Sequence, residues 1–183
     1  MKQLWMAAFV VGVCVAVSAA QEPNKDWPQF RGPTRDGHVS WLPDALPAGM
    51  KPVWSTKMSG QCDAGISVGE GVVVVPDHSE GEEGKDFYRA YDAATGKELW
   101  SREFENGREM EYGAGPRAQP LIHDGKVVVM SAFGEVYCFD LKTGKTLWEK
   151  NYEKDFKAGE PPTWGHCSAP VLAGGKVILS PGA

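Results

Sequence analysis

Residues 90–100 read Ala-Tyr-Asp-Ala-Ala-Thr-Gly-Lys-Glu-Leu-Trp, and residues 138–148 read Cys-Phe-Asp-Leu-Lys-Thr-Gly-Lys-Thr-Leu-Trp. Six of the eleven positions are identical at a constant offset of 48 residues, so the chain is built on an internal repeat. Each part of the motif has a local physical reason. Asp92 and Asp140 can accept backbone N–H groups from residues just ahead, and Gly96 and Gly144 can take the positive φ that a tight turn needs. Past the turn, alternation puts Trp100, Arg102 and Phe104 on one face and Trp148, Lys150 and Tyr152 on the equivalent one. That period of two is the period of a strand.

A second pair of segments precedes these turns or repeats after them. Residues 118–129 (Ala-Gln-Pro-Leu-Ile-His-Asp-Gly-Lys-Val-Val-Val) recur at 168–179 (Ser-Ala-Pro-Val-Leu-Ala-Gly-Gly-Lys-Val-Ile-Leu), and a weaker copy runs from Ala64 to Val74. The runs Val72 to Val75 and Val127 to Met130 are mostly β-branched and lie beside Gly, which suits strands buried on both faces. The unit is therefore two apolar strands, a third strand, a tight turn and a fourth strand carrying Trp. A helix over 145–158 competes for the last strand, because Trp148, Tyr152 and Phe156 are spaced by four. The matching segment after Trp100 meets Gly107 within seven residues, which favours the strand in both copies.

A four-stranded unit of this length predicts an all-β fold, a β-propeller of four-stranded antiparallel blades. The Asp-x-x-Thr-Gly-Lys-x-x-Trp signature is carried by Asp92, Thr95, Gly96, Lys97 and Trp100, and again by Asp140, Thr143, Gly144, Lys145 and Trp148. It resembles the quinoprotein-type (PQQ-like) propeller repeat, and the likeness covers residues 53–183. The opening Trp27-Pro28-Gln29-Phe30-Arg31-Gly32-Pro33 also looks like the start of exported bacterial members of that family. The resemblance implies that Trp100 and Trp148 dock between neighbouring blades, each with a similar stability cost on truncation. Counting a partial strand at Val53 to Lys57, about two and a half blades are present. The next Trp falls near position ~196 on the repeat spacing, beyond Ala183, so the reading expects a piece of a ring of roughly six to eight blades.

Residues 1–20 read as a cleaved export signal: a basic start at Lys2, an apolar run from Leu4 to Val17, and small residues at Ser18-Ala19-Ala20. Residues 21–52 follow as an extended N-terminal segment. The expected product is exported, periplasmic or extracellular, and not an integral membrane protein after cleavage. A net charge of −5 and the lack of basic runs exclude a nucleic-acid partner. With 22 Gly and 13 Pro the chain is rich in turn residues, yet seven Trp and seven Phe supply a core. After the signal, Cys62, Cys138 and Cys167 remain, without a C-x-x-C motif or a disulfide framework. Cys138 aligns with Ala90 and is expected as an inert core thiol.

Loops from each outer strand to the next inner strand emerge on one face of a propeller. Here they span residues 105–116 and 153–166. Asp63, Arg117 and Cys167 align just before the inner strands, with Gln119, Trp164 and His166 nearby, which makes Asp63, Arg117, Gln119, Trp164 and His166 the ligand-binding candidates. Structural roles suit the same residues: an ion pair for Arg117, and for Trp164 a cover over the inner strands. Gly113 to Ala118 only superficially fits a dinucleotide fingerprint, since Pro116 and Pro120 block the helix it needs. The acidic stretch Asp77 to Glu83 lacks EF-hand spacing and reads as a solvated hairpin loop. No catalytic residue and no metal ligand is assigned, the four His being scattered at 38, 78, 123 and 166.

Two functions follow from the resemblance. One is a non-catalytic binding or scaffold module with protein partners or a small ligand at the propeller face, similar to the module of the bacterial outer-membrane assembly machinery. The other is a PQQ-dependent dehydrogenase holding the quinone and Ca²⁺ and oxidising alcohols or sugars. The family's dehydrogenases carry adjacent cysteines beside the quinone, and this sequence has no Cys-Cys pair. The first function is therefore the expectation.

Overall fold

The computed structural model describes residues 25–181 apart from Gln61, Glu80, Glu82, Glu83, Glu109, Tyr112 and Ala114. The expected export signal lies outside the described residues. Strands β1 (Ser67–Gly69), β2 (Val72–Ser79), β3 (Lys85–Asp92) and β4 (Glu98–Glu105) form one antiparallel sheet in sequence order. A second sheet repeats the order with β5 (Leu121–His123), β6 (Lys126–Met130), β7 (Glu135–Asp140) and β8 (Thr146–Asn151). A third unit begins as the hairpin β9 (Val171–Ala173) and β10 (Lys176–Ile178). Residues 53–57 belong to no strand.

The two Asp-x-x-Thr-Gly-Lys turns are built alike. Asp92 Oδ1 accepts from the Thr95 backbone N–H at 2.9 Å and from the Thr95 hydroxyl at 2.7 Å; Asp140 Oδ1 accepts from Thr143 at the same two distances. These bonds, the Thr hydroxyl foremost, hold both carboxyls below the usual Asp range. A register shift opens at the same point of each sheet, at Ala90/Tyr91 and at Cys138/Phe139. Gly144, at φ +68°, does more than turn the chain. A Cβ there would lie 2.7 Å from the Trp100 ring, so the bare backbone forms the seat on which that indole rests. Trp100 Nε1 donates to the Leu141 carbonyl at 2.9 Å, completing the joint between the sheets. Trp54 repeats this joint one blade earlier: its ring lies on Gly96 and its Nε1 donates to Ala93 O at 3.0 Å. The spacing from Trp54 to Trp100, 46 residues, was the available signal for this third copy.

Burial follows the joints. One cluster unites Val72, Val74, Tyr88, Ala90 and Trp100 of the first sheet with Ile122, Val127, Val129, Phe139 and Leu141 at the second. Phe104 stacks on Tyr137 across the same boundary at 4.1 Å. A second cluster holds Cys138 with Leu121, Val128, Met130, Val136 and Tyr152, and Trp148 packs on it only half-buried. Cys138 is buried as expected of a core thiol.

The outer strands are not equivalent, which corrects the expected alternation. β4 runs eight residues, whereas β8 stops at Asn151 and a one-turn helix α1 (Tyr152–Phe156) follows. Asn151 caps it, accepting from Lys154 N–H at 3.0 Å, while the Asp155 carboxylate accepts from Asn151 N–H at 2.7 Å. The first copy has Glu103 in place of Asn151. Strand and helix readings of 145–158 are thus each right for part of the segment.

The N-terminal segment crosses the inner strands. Trp27 exchanges two backbone hydrogen bonds with Val68 on the free edge of β1, at 2.8 and 3.0 Å, and Pro28 O accepts from Ile122 N–H of β5 at 2.8 Å. Arg35 then donates to Leu172 O of β9 at 3.3 Å. This strap touches the innermost strand of all three units.

Candidate functional site

Antiparallel order sends the β2–β3, β4–β5, β6–β7 and β8–β9 connections to one face, and three features lie there. At its inner part, Asp63, Arg117, Gln119 and Cys167 come together around a cavity of about 240 Å³, with Phe30 of the strap on its wall. Arg117 Nη1 approaches Asp63 Oδ2 at 3.6 Å, and its Nη2 donates to the Glu111 and Gly113 carbonyls at 2.8 and 2.6 Å. Gln119 donates from Nε2 to Ile66 O at 2.9 Å and to Ser67 Oγ at 3.1 Å, so it stitches β1 to β5.

Trp164 and His166 stand apart from that group. Trp164 is 57% exposed and donates its indole N–H to Glu111 Oε2 at 2.9 Å. The buried His166 ring meets Tyr152 edge-on at 4.7 Å and lines an open cleft of about 670 Å³ with Arg108, Phe133 and Glu135. Burial pushes the imidazole pKa down, against a smaller upward pull from Glu135.

The third feature is a polar chain, buried at its His78, Asp86 and Asn106 end and open at Arg108, that sequence reading missed. His78 and Asp77 lie in β2 and are buried, which corrects the expectation of a solvated loop from Asp77 onward. His78 Nδ1 contacts Asp86 Oδ1 at 2.8 Å, and Asn106 Nδ2 donates to Asp86 Oδ2 at 2.9 Å. Arg108 continues the chain, donating to Asn106 Oδ1 at 3.3 Å and to Glu135 Oε1 at 3.0 Å while its guanidinium lies 3.8 Å from the Phe133 ring centre. Ser131 donates to the other Glu135 oxygen. Register across the β2–β3 hairpin pairs His78 with Asp86, and only that register could have signalled the contact.

Asp77 and Asp86 titrate in opposite senses. Burial raises Asp86, and the bonds from Asn106 and His78 only partly offset it. Burial also acts upward on Asp77, but bonds from Ser59, His78 and Gly60 overcome it and hold the carboxyl below the usual range. A lowered native pKa means that Asp77 contributes stability above the unfolded-state value near ~3.9, lost as pH falls through the native value. Urea denaturation at a series of acid pH values is expected to show a shallower loss of stability below pH ~4 in Asp77→Asn than in the parent chain. An identical slope would refute that role.

Comparison with known proteins fixes the lineage. The family model for the outer membrane protein assembly factor BamB, a PQQ-type repeat, matches residues 45–107 and 84–182. The chain belongs to this PQQ-type β-propeller family. Among curated relatives, the chain is 30% identical over 118 residues to a tetrathionate hydrolase of Acidithiobacillus ferrooxidans, covering 58% of this chain and 23% of the relative. It is 32% identical over 96 residues to a 1-butanol dehydrogenase (cytochrome c) of Thauera butanivorans, covering 51% of this chain and 13% of that one. The chain thus spans less than a quarter of the length of either. The solved quinohemoprotein alcohol dehydrogenase of Comamonas testosteroni superposes with a TM-score of 0.53 at 19% identity, over 83% of this chain and 22% of that one. That likeness establishes the shared propeller fold.

The PQQ-type family raises the question of a quinone and Ca²⁺, and the described residues offer no ready set of ligands for the ion. No group of three or more His, Cys, Asp and Glu side chains among them is arranged to hold a metal ion. The strap lies along the free edge of β1. No described helix is long and apolar enough to cross a membrane.

Proposed function

We propose that this PQQ-type propeller chain is an exported, periplasmic or extracellular binding or scaffold module that engages a protein partner through its loop face. One observation carries the reading: the polar side chains there are mostly bonded within the protein, while Trp164 and Phe30 present aromatic surface at 57% and 58% exposure. Exposed aromatics beside an open cleft suit a contact surface, since aromatic side chains anchor interfaces. A photo-crosslinking residue in place of Trp164, in cells of the native host, is expected to yield a discrete protein adduct; absence of any adduct counts against the reading.

A second reading is favoured by the likeness to the 1-butanol dehydrogenase: a part of a quinone-dependent dehydrogenase for alcohols or sugars. Pyrroloquinoline quinone and Ca²⁺ added to the full protein are expected to give neither dye reduction with alcohols or sugars nor a thermal shift. A ligand at a hundred times its Kd would stabilise by about 2.7 kcal/mol, a shift easily seen. Activity requiring both additions would replace the scaffold reading with the enzymatic one.

A further inference from the structure

Arg117 is a permanently charged group with only a tenth of its side chain exposed. Its compensation is incomplete. Among the described residues, the nearest carboxylate oxygen, on the half-exposed Asp63, stands 3.6 Å away, the other partners are two neutral carbonyls, and Nε is buried with no hydrogen-bond partner. A buried cation with an unsatisfied donor is costly unless an anion completes it. The same residue lines the cavity of about 240 Å³ beside Phe30, Asp63, Cys167 and Ser168, which adds a hydroxyl and a thiol to the guanidinium. That volume falls below the ~300–1,000 Å³ of pockets for drug-sized ligands. It suits a small acid.

We infer that this cavity is a binding site for a small carboxylate-bearing anion, with Arg117 as the charge partner and Asp63 as a competing carboxylate that occupies the guanidinium when the site is empty. The inference goes beyond the protein-binding role of the loop face and does not depend on it. Carboxylate and guanidinium are matched in geometry.

Cys167 supplies an internal reporter, because it is exposed at the cavity whereas Cys62 is partly buried and Cys138 is buried. In the full chain, alkylation of Cys167 by iodoacetate relative to neutral iodoacetamide is followed by peptide mass spectrometry. The reference is the same ratio in the urea-unfolded protein. Attraction to Arg117 is expected to raise the ratio on the order of tenfold in the folded chain. Succinate, at ionic strength held constant with chloride, is expected to slow both reagents in a saturable manner. Asp63→Asn, which removes a half-exposed group and leaves the fold in place, is expected to raise the ratio further and to lower the succinate concentration needed. Arg117→Gln is expected to abolish both effects. A folded-chain ratio at or below the unfolded reference, or alkylation indifferent to succinate in both the parent and Asp63→Asn, overturns the assignment. Crosslinking from position 164 reads out the protein-partner role separately, so either idea can fail alone.

Discussion

Trp100→Ala is expected to destabilise the chain by about 3–5 kcal/mol, measured by equilibrium urea denaturation followed by far-UV circular dichroism. The indole is 8% exposed, belongs to the larger core cluster, and meets Phe139 edge-on at 5.7 Å. Truncation opens a cavity at the boundary of two sheets and leaves the Leu141 carbonyl without its donor. The repeat alone implies the same cost at Trp148, and the structure separates the two. Trp148 is only half-buried, so Trp148→Ala is expected to cost about 1–2 kcal/mol. Equal losses in the two variants would show that the joint is not what makes Trp100 matter.

Asp86→Ala is expected to be comparably damaging, at about 3–5 kcal/mol. The carboxylate is 1% exposed and holds a His78 ring that is itself buried, together with the Asn106 amide. Removing it strands two buried polar groups at once, and each unsatisfied group carries its own desolvation cost. Asp86→Asn keeps the shape and one acceptor and is expected to lose about half as much. A drop below ~1 kcal/mol in Asp86→Ala would mean that water replaces the carboxylate at no cost.

What could be read in the sequence was what local chemistry determines. The Asp92 and Asp140 turns need only residues within six positions of each other, so their geometry was legible from the motif. Strand order followed because the repeat forced it. The partnerships that shape the loop face depend instead on register and on neighbouring blades. Asp86 finds His78 across a hairpin, and Gln119 finds Ser67 across a sheet boundary. No spacing rule links those positions. Grouping by equivalent position brought Asp63, Arg117 and Cys167 to one cavity, but adding their sequence neighbours drew in Trp164 and His166 along with Gln119, and the β8–β9 connection carries those two to other parts of the face. Helix α1 eluded the repeat argument for a simple reason. One Asn at position 151, absent from the first copy, is enough to cap a turn.

Seating Trp54 on Gly96 and Trp100 on Gly144 gives the array a polarity. In both joints the Trp of one unit is the plug and the hairpin glycine of the following unit is the socket. Such head-to-tail contacts differ from self-complementary ones in that they carry direction. The module that can be copied, inserted or deleted without damage is therefore the span from one socket to the following socket, whose ends fall inside a sheet and not between sheets. Grafting cut at sheet boundaries would part a plug from its socket, Trp100 from Gly144, whereas grafting cut at the sockets would keep that pair in one piece.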